Sequence, residues 1–77
     1  MLIRSQDKCV LINMNNVSSI ETGCGGLKIF ADGGETIYAI GKYSTEAKVI
    51  KVLDMIQEVY ANGHIDFQMP EDSEVEA

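Results

Sequence analysis

The chain has 77 residues, a formal net charge of −6 and 45% hydrophobic residues. That length holds one domain, and that composition is globular rather than disordered. Four acids and no base lie after Pro70, so the body carries only about −2; the balance argues against nonspecific binding to nucleic acid or anionic membrane, which needs clustered Lys and Arg.

Met1 to Gln6 reads as a first strand with Ile3 facing inward, and Asp7-Lys8 as a two-residue turn. The run Cys9-Val10-Leu11-Ile12 is apolar on both sides, the pattern of a central strand, with Cys9 a buried small hydrophobe. Asn13, Asn15 and Asn16 end it, since Asn favours turns. Val17 to Thr22 gives a third strand. The loop Gly23-Cys24-Gly25-Gly26 follows, then Leu27 to Ala31 with Ile29 and Ala31 on one face and Lys28 and Phe30 on the other. Asp32-Gly33-Gly34 is a hairpin turn, and Glu35 to Ile40 the return strand.

Ser44 to Ala61 reads as an amphipathic helix. At 100° per residue, Val49, Val52, Leu53, Ile56, Val59 and Tyr60 fall within an arc of about 120°, the width of a core-facing stripe. Lys51, Asp54 and Glu58 lie opposite. Ser44 or Thr45 serves as N-cap, and Asn62-Gly63 as the stop. Ile65 to Met69 alternates and adds an edge strand; Pro70 ends it. The expected fold is therefore α+β: an antiparallel meander of about five strands, one C-terminal helix on one face, and an extra edge strand after the helix. The strands are too closely spaced for parallel crossovers. The expected domain spans residues 1–70, with residues 71–77 a disordered acidic tail that has only Val75 to bury.

Several segments resemble an uncharacterised family of small proteins from Firmicutes and their phages or other mobile elements. They are Ile3-Arg4-Ser5-Gln6-Asp7-Lys8, Leu11-Ile12-Asn13, Gly41-Lys42-Tyr43-Ser44-Thr45-Glu46, Val52-Leu53-Asp54-Met55-Ile56 and Phe67-Gln68-Met69-Pro70. The resemblance implies a bacterial, cytoplasmic setting. It implies no activity and carries over no catalytic residue.

Chemistry-bearing patterns are sparse. The glycine-rich loop lacks the following helix and the Lys of a phosphate cradle. Cys9, Cys24 and His64 have no metal-ligand spacing, and no sequence feature brings Cys24 and His64 together as nucleophile and base. No cofactor, no metal and no enzymatic activity are expected. With two cysteines, no disulfide framework and no secretory or membrane-spanning segment in the sequence, a reduced cytoplasmic state is expected.

A sheet covered on one side by a helix has a second side to account for. Arg4, Gln6, Phe30 and Tyr38 are the candidate interaction surface there, with Val10 or Leu11. Either the meander curls and buries them or a partner covers them. The expectation is a noncatalytic binding or adaptor protein that forms a homo-oligomer. A small nucleic-acid-binding regulatory module is the alternative, since LytTR-type domains open with strands similar to Leu11 to Ile20. A small enzyme stands third.

Overall fold

The computed structural model describes residues 1–23 and 26–77. Cys24 and Gly25, and with them the pairing of Cys24 with His64, lie outside the described residues.

In chain order the elements are β1 (Leu2–Arg4), β2 (Leu11–Asn13), a 3₁₀ turn (Met14–Asn16), β3 (Ser19–Thr22), β4 (Lys28–Asp32), β5 (Ile37–Lys42), α1 (Glu46–Ala61), β6 (Asp66–Gln68) and a second 3₁₀ turn (Asp72–Glu74). This is an α+β fold with the helix packed on largely antiparallel strands, as the sequence indicates. The strands do not form one meander. They divide into two three-stranded sheets, ordered β2-β1-β6 and β3-β4-β5. β6 runs parallel to β1, with Ile3 opposite Phe67, so a parallel crossover exists after all. The close spacing of neighbouring strands does not forbid it, because this crossover uses nearly the whole chain between the two strands.

The central strand of the first sheet is β1, not the apolar run that follows it. Only Leu11–Asn13 of that run is strand, and it lies at an edge: Ile12 is buried and Leu11 is exposed. Cys9 is exposed, not buried. The cause is the turn before it. Lys8 N–H donates to Ser5 C=O at 2.9 Å, Lys8 takes the left-handed conformation (φ 68°), and Cys9 N–H is held by Asp7 Oδ1 at 2.9 Å.

The β4–β5 hairpin turns where Asp32-Gly33-Gly34 indicates. Asp32 Oδ1 accepts from Gly34 N–H at 2.8 Å, and Gly33 N–H donates to Thr36 C=O at 2.9 Å. A bulge at Ile40 lets Gly41 face Ile29. Gly41 is required there by crowding: a Cβ would sit 3.0 Å from Tyr43 Cε2 and 3.1 Å from Met69 Cε.

Helix α1 starts at Thr45, whose hydroxyl accepts from Lys48 N–H at 3.2 Å. It stops in a Schellman arrangement. His64 N–H reaches Val59 C=O and Gly63 N–H reaches Tyr60 C=O, both at 3.1 Å, with Gly63 at φ 77°. Val49, Val52 and Ile56 are fully or nearly buried, and Leu53 and Val59 half-buried. Tyr60, expected in the core arc, is 57% exposed. The buried arc is turned toward Met55 because the C-terminal segment covers that flank: Val75 is only 5% exposed and Met55, Lys51 and Val75 border one groove.

That covering corrects the reading of residues 71–77 as disordered. A single apolar residue among acids offers little area on its own, but Val75 enters a core already built by Ile3, Ile12, Ile29, Ile40, Val49, Val52 and Met69. The 3₁₀ turn that delivers it is closed by reciprocal bonds between Glu71 and Glu74.

Truncating Ile56 to Ala should destabilise by about 2–5 kcal/mol, as buried aliphatic truncations do. Asp54→Ala, on the exposed side, should cost within about 0.5 kcal/mol. Thermal melts of the two variants check the helix orientation, and equal effects would refute it.

Candidate functional site

The four residues singled out in sequence do not share one face. Arg4 stands on the outer face of the first sheet, where register places it beside Leu11 and Gln68. Leu2, Arg4, Leu11, Asp66, Phe67 and Gln68 border a shallow groove there. Tyr38 is opposite Ala31, on the side of the second sheet that turns toward β2. Phe30 is opposite Ala39, one residue along, and the pleat therefore sends it to the other side. The division into two sheets and the parity of β4 account for the scatter.

Tyr38 is 44% exposed at the rim of an open cleft of about 200 Å³. Val10, Leu11, Ile12 and Val17 form one wall and Ala31 and Gly33 belong to the other. Leu11, 54% exposed, borders both this cleft and the groove around Arg4. Ile37, beside Tyr38 on β5, is 60% exposed and was not singled out from the sequence. The available signal was the absence of any charge between Glu35 and Lys42.

Gln6 has a different task. Its backbone N–H donates to Ile40 C=O at 2.8 Å. Its side-chain Oε1 accepts from Lys42 N–H at 2.9 Å, and its Nε2 donates to Lys42 C=O at 3.0 Å and Pro70 C=O at 3.2 Å. The amide thus imitates a peptide unit and ties β1 to β5 and to the end of the chain.

The same corner holds Tyr43 and Asp72. The Tyr43 side chain is almost wholly buried and its hydroxyl donates to Pro70 C=O at 2.8 Å. Burial, then the negative Glu71, Asp72 and Glu74, pushes its pKa up to about 12. Asp72 accepts from Ser44 N–H at 2.7 Å and Ser44 Oγ at 3.0 Å, and pairs with Lys48 Nζ at 3.2 Å. The Ser44 N–H bond and then the Lys48 and Ser44 side chains hold the Asp72 carboxyl below the usual range. Asp7 is lowered by the Ser5 hydroxyl, at 2.6 Å, and by Cys9 N–H. Asp7 and Asp72 each have hydrogen-bond partners within the chain.

Among the described residues, no three of His, Cys, Asp and Glu are grouped so as to hold a metal ion. His64 is exposed just past the helix stop. No helix among the described residues is long and apolar enough to cross a membrane.

Removing residues 71–77 should lower stability measurably. Val75→Ala alone should cost about 2 kcal/mol, from roughly 0.8 kcal/mol per buried methylene plus the cavity. Lys48→Ala should cost about 1 kcal/mol, because the Asp72 carboxylate keeps 42% of its side-chain surface in solvent, which screens the pair. Denaturant unfolding of the three variants tests the order, and an unchanged midpoint for Val75→Ala would overturn the docking of this segment.

Tyr43 binds its proton more tightly folded than unfolded, so its contribution to stability is intact below pH about 10 and falls as pH rises toward about 12. Tyr43→Phe removes this titration. The stability advantage of wild type over Tyr43→Phe should therefore shrink through that window, as read by melts at successive pH values; a constant difference would refute the assignment.

Comparison of the chain with protein-family models, with curated proteins and with solved structures finds no match in any of the three.

Proposed function

We propose that this chain is a noncatalytic binding or adaptor protein that self-associates, working in the cytoplasm of a bacterium or on behalf of a phage or mobile element. The observation that carries self-association is the apolar strand surface left in solvent. Leu11 and Tyr38, exposed by 54% and 44%, border an open cleft, and Ile37, exposed by 60%, stands on the other face of β5. Apolar surface of this kind, on a chain small enough to be marginally stable alone, is characteristic of an interaction site. The bacterial and cytoplasmic setting rests on the sequence resemblance.

The noncatalytic part of the reading rests on the carboxylates. Asp7 and Asp72 are lowered by hydrogen bonds within the chain, the opposite of a base tuned toward neutral pH. Nucleic-acid binding has the charge against it: six bases stand against twelve acids.

Light scattering across a concentration series should give a mass above that of the monomer at high micromolar protein. Phe30→Asp, on the strand next to β5, should weaken the association by roughly tenfold, about 1.4 kcal/mol. A monomer mass for wild type at every concentration would end the reading. A mobility shift with mixed-sequence DNA at low salt, at micromolar protein, would turn it toward a nucleic-acid module.

A further inference from the structure

We infer that residues 71–77 form a strap that opens as a unit while the rest of the domain stays folded, and that the Asp72 carboxylate is its latch.

The strap has a sharp root. Met69 is buried, and its N–H donates to Arg4 C=O at 3.0 Å. Pro70 C=O accepts from the Tyr43 hydroxyl at 2.8 Å and from Gln6 Nε2 at 3.2 Å. Up to Pro70 the chain is therefore tied to β1 and to the end of β5. Beyond it, among the described residues, no strand pairs with the backbone. The bonds of the 3₁₀ turn stay within the segment. Glu74 N–H donates to Glu71 C=O at 3.0 Å, Val75 N–H to Asp72 C=O at 3.3 Å, and Glu71 N–H to Glu74 Oε1 at 2.8 Å. They hold the turn together whether or not it is docked.

One carboxylate and one aliphatic side chain dock it. Asp72 accepts from Ser44 N–H and Ser44 Oγ. Lys48 Nζ reaches the Asp72 carboxylate at 3.2 Å and the Asp72 C=O at 2.9 Å. Among the described residues, no other polar group of 71–77 bonds outside the segment. Val75 is the one buried side chain; Glu71, Ser73, Glu74, Glu76 and Ala77 are exposed.

Charge works against closure everywhere except at the latch. Glu71, Asp72, Glu74 and Glu76 lie within six consecutive positions. Asp72 is paired with Lys48, and among the described residues none of the three glutamates is paired with a base. Crowded like charges favour the open form, in which they separate.

The structure beneath is built differently. Ile3, Val49, Val52 and Ile56 belong to one buried cluster, and β1 is paired on both sides. Losing the strap removes only Val75 from that cluster. A segment with one buried side chain and one outward set of bonds opens at a lower free energy than the core it covers. Opening uncovers the flank of α1 at Lys51 and Met55, and frees Ser44 N–H and Lys48 Nζ at the start of the helix.

Thiol labelling of the full chain tests this. In a Cys9→Ser, Cys24→Ser background, Val75→Cys reports on the strap and Val52→Cys, wholly buried in α1, on the core. The Val75→Cys thiol should react with an aromatic disulfide reagent at least about a hundredfold faster than the Val52→Cys thiol, at a rate that sub-denaturing urea does not change. The Val52→Cys rate should climb with urea, because it waits for global unfolding. Adding Asp72→Ala should raise the strap rate about tenfold and leave the core rate unchanged; Lys48→Ala should raise it by less. Hydrogen exchange on the wild type keeps the test independent of these variants. The Ser44 amide, bonded only to Asp72, should open in step with the Val75 amide and ahead of Val52. Equal labelling of the two thiols, rising together with urea, would overturn the strap as a separate unit. Labelling of Val75→Cys as fast as in an unfolded peptide would overturn its docking. A Ser44 amide that exchanges with the core, or a strap rate indifferent to Asp72→Ala, would overturn the latch.

Discussion

β1 is the constraint on which the rest depends. It has three residues of ladder, yet it holds both the beginning and the end of the chain. Its odd residues turn their peptide groups to β2, as Ser5 N–H to Val10 C=O shows, and its even residues turn theirs to β6 and the segment after it. Leu2 N–H takes Ile65 C=O at 2.9 Å, and Arg4 C=O receives Met69 N–H at 3.0 Å. Where β6 gives out, Gln6 continues the same side onto Ile40 of the other sheet. One strand therefore fixes β2, β6 and β5 by simple alternation, and places Ile3, wholly buried, at their meeting point.

That arrangement explains why the domain needs so little chain, and also what it leaves undone. Two three-stranded sheets give four outer strands, and a 77-residue chain has few segments with which to cover them. The available cover is spent at one corner. Gln6, Tyr43, Pro70 and Asp72 converge there, so the C-terminal end of β5 is sealed by side-chain amide, phenol and carboxylate. The N-terminal end of β5 and the rim at Leu11 remain in solvent. The exposed surface is a consequence of where the seal was placed.

How much of this the sequence discloses depends on the range of the interaction. Helix α1 is legible because its cap, its period and its stop are all local: Thr45, the Val49-Val52-Ile56 stripe and Gly63 lie within one segment. The Asp32-Gly33-Gly34 turn is legible for the same reason. Tyr60 misleads because a helical arc has edges, and which edge is buried depends on a segment that returns fourteen residues or more later. Val75 misleads because composition scores a segment by what it carries, whereas burial depends on the hole it meets. Gln6 resembles any strand-surface glutamine, since its partners are 36 and 64 residues away. Of the candidate surface, Tyr38 was legible as an exposed aromatic, while the separation of Phe30 from it required the registers of both sheets.

Gly41 brings these ranges together. Locally it is a glycine just past a bulge, where a loop into the helix would be the plain reading. Its real neighbours are Tyr43, two residues on, and Met69, from beyond the helix, both within about a methyl's reach of the missing side chain. Any Cβ there would push Tyr43 from Pro70 or Met69 from β1. Either shift would strain the corner that Gln6 and Asp72 close. The bulge that lets Gly41 face Ile29 also leaves the Ile40 carbonyl to accept from Gln6 N–H, so it ends the free edge of β5 in the same step. A single irregularity in β5 thus sets where the fold is closed and where it remains open to solvent.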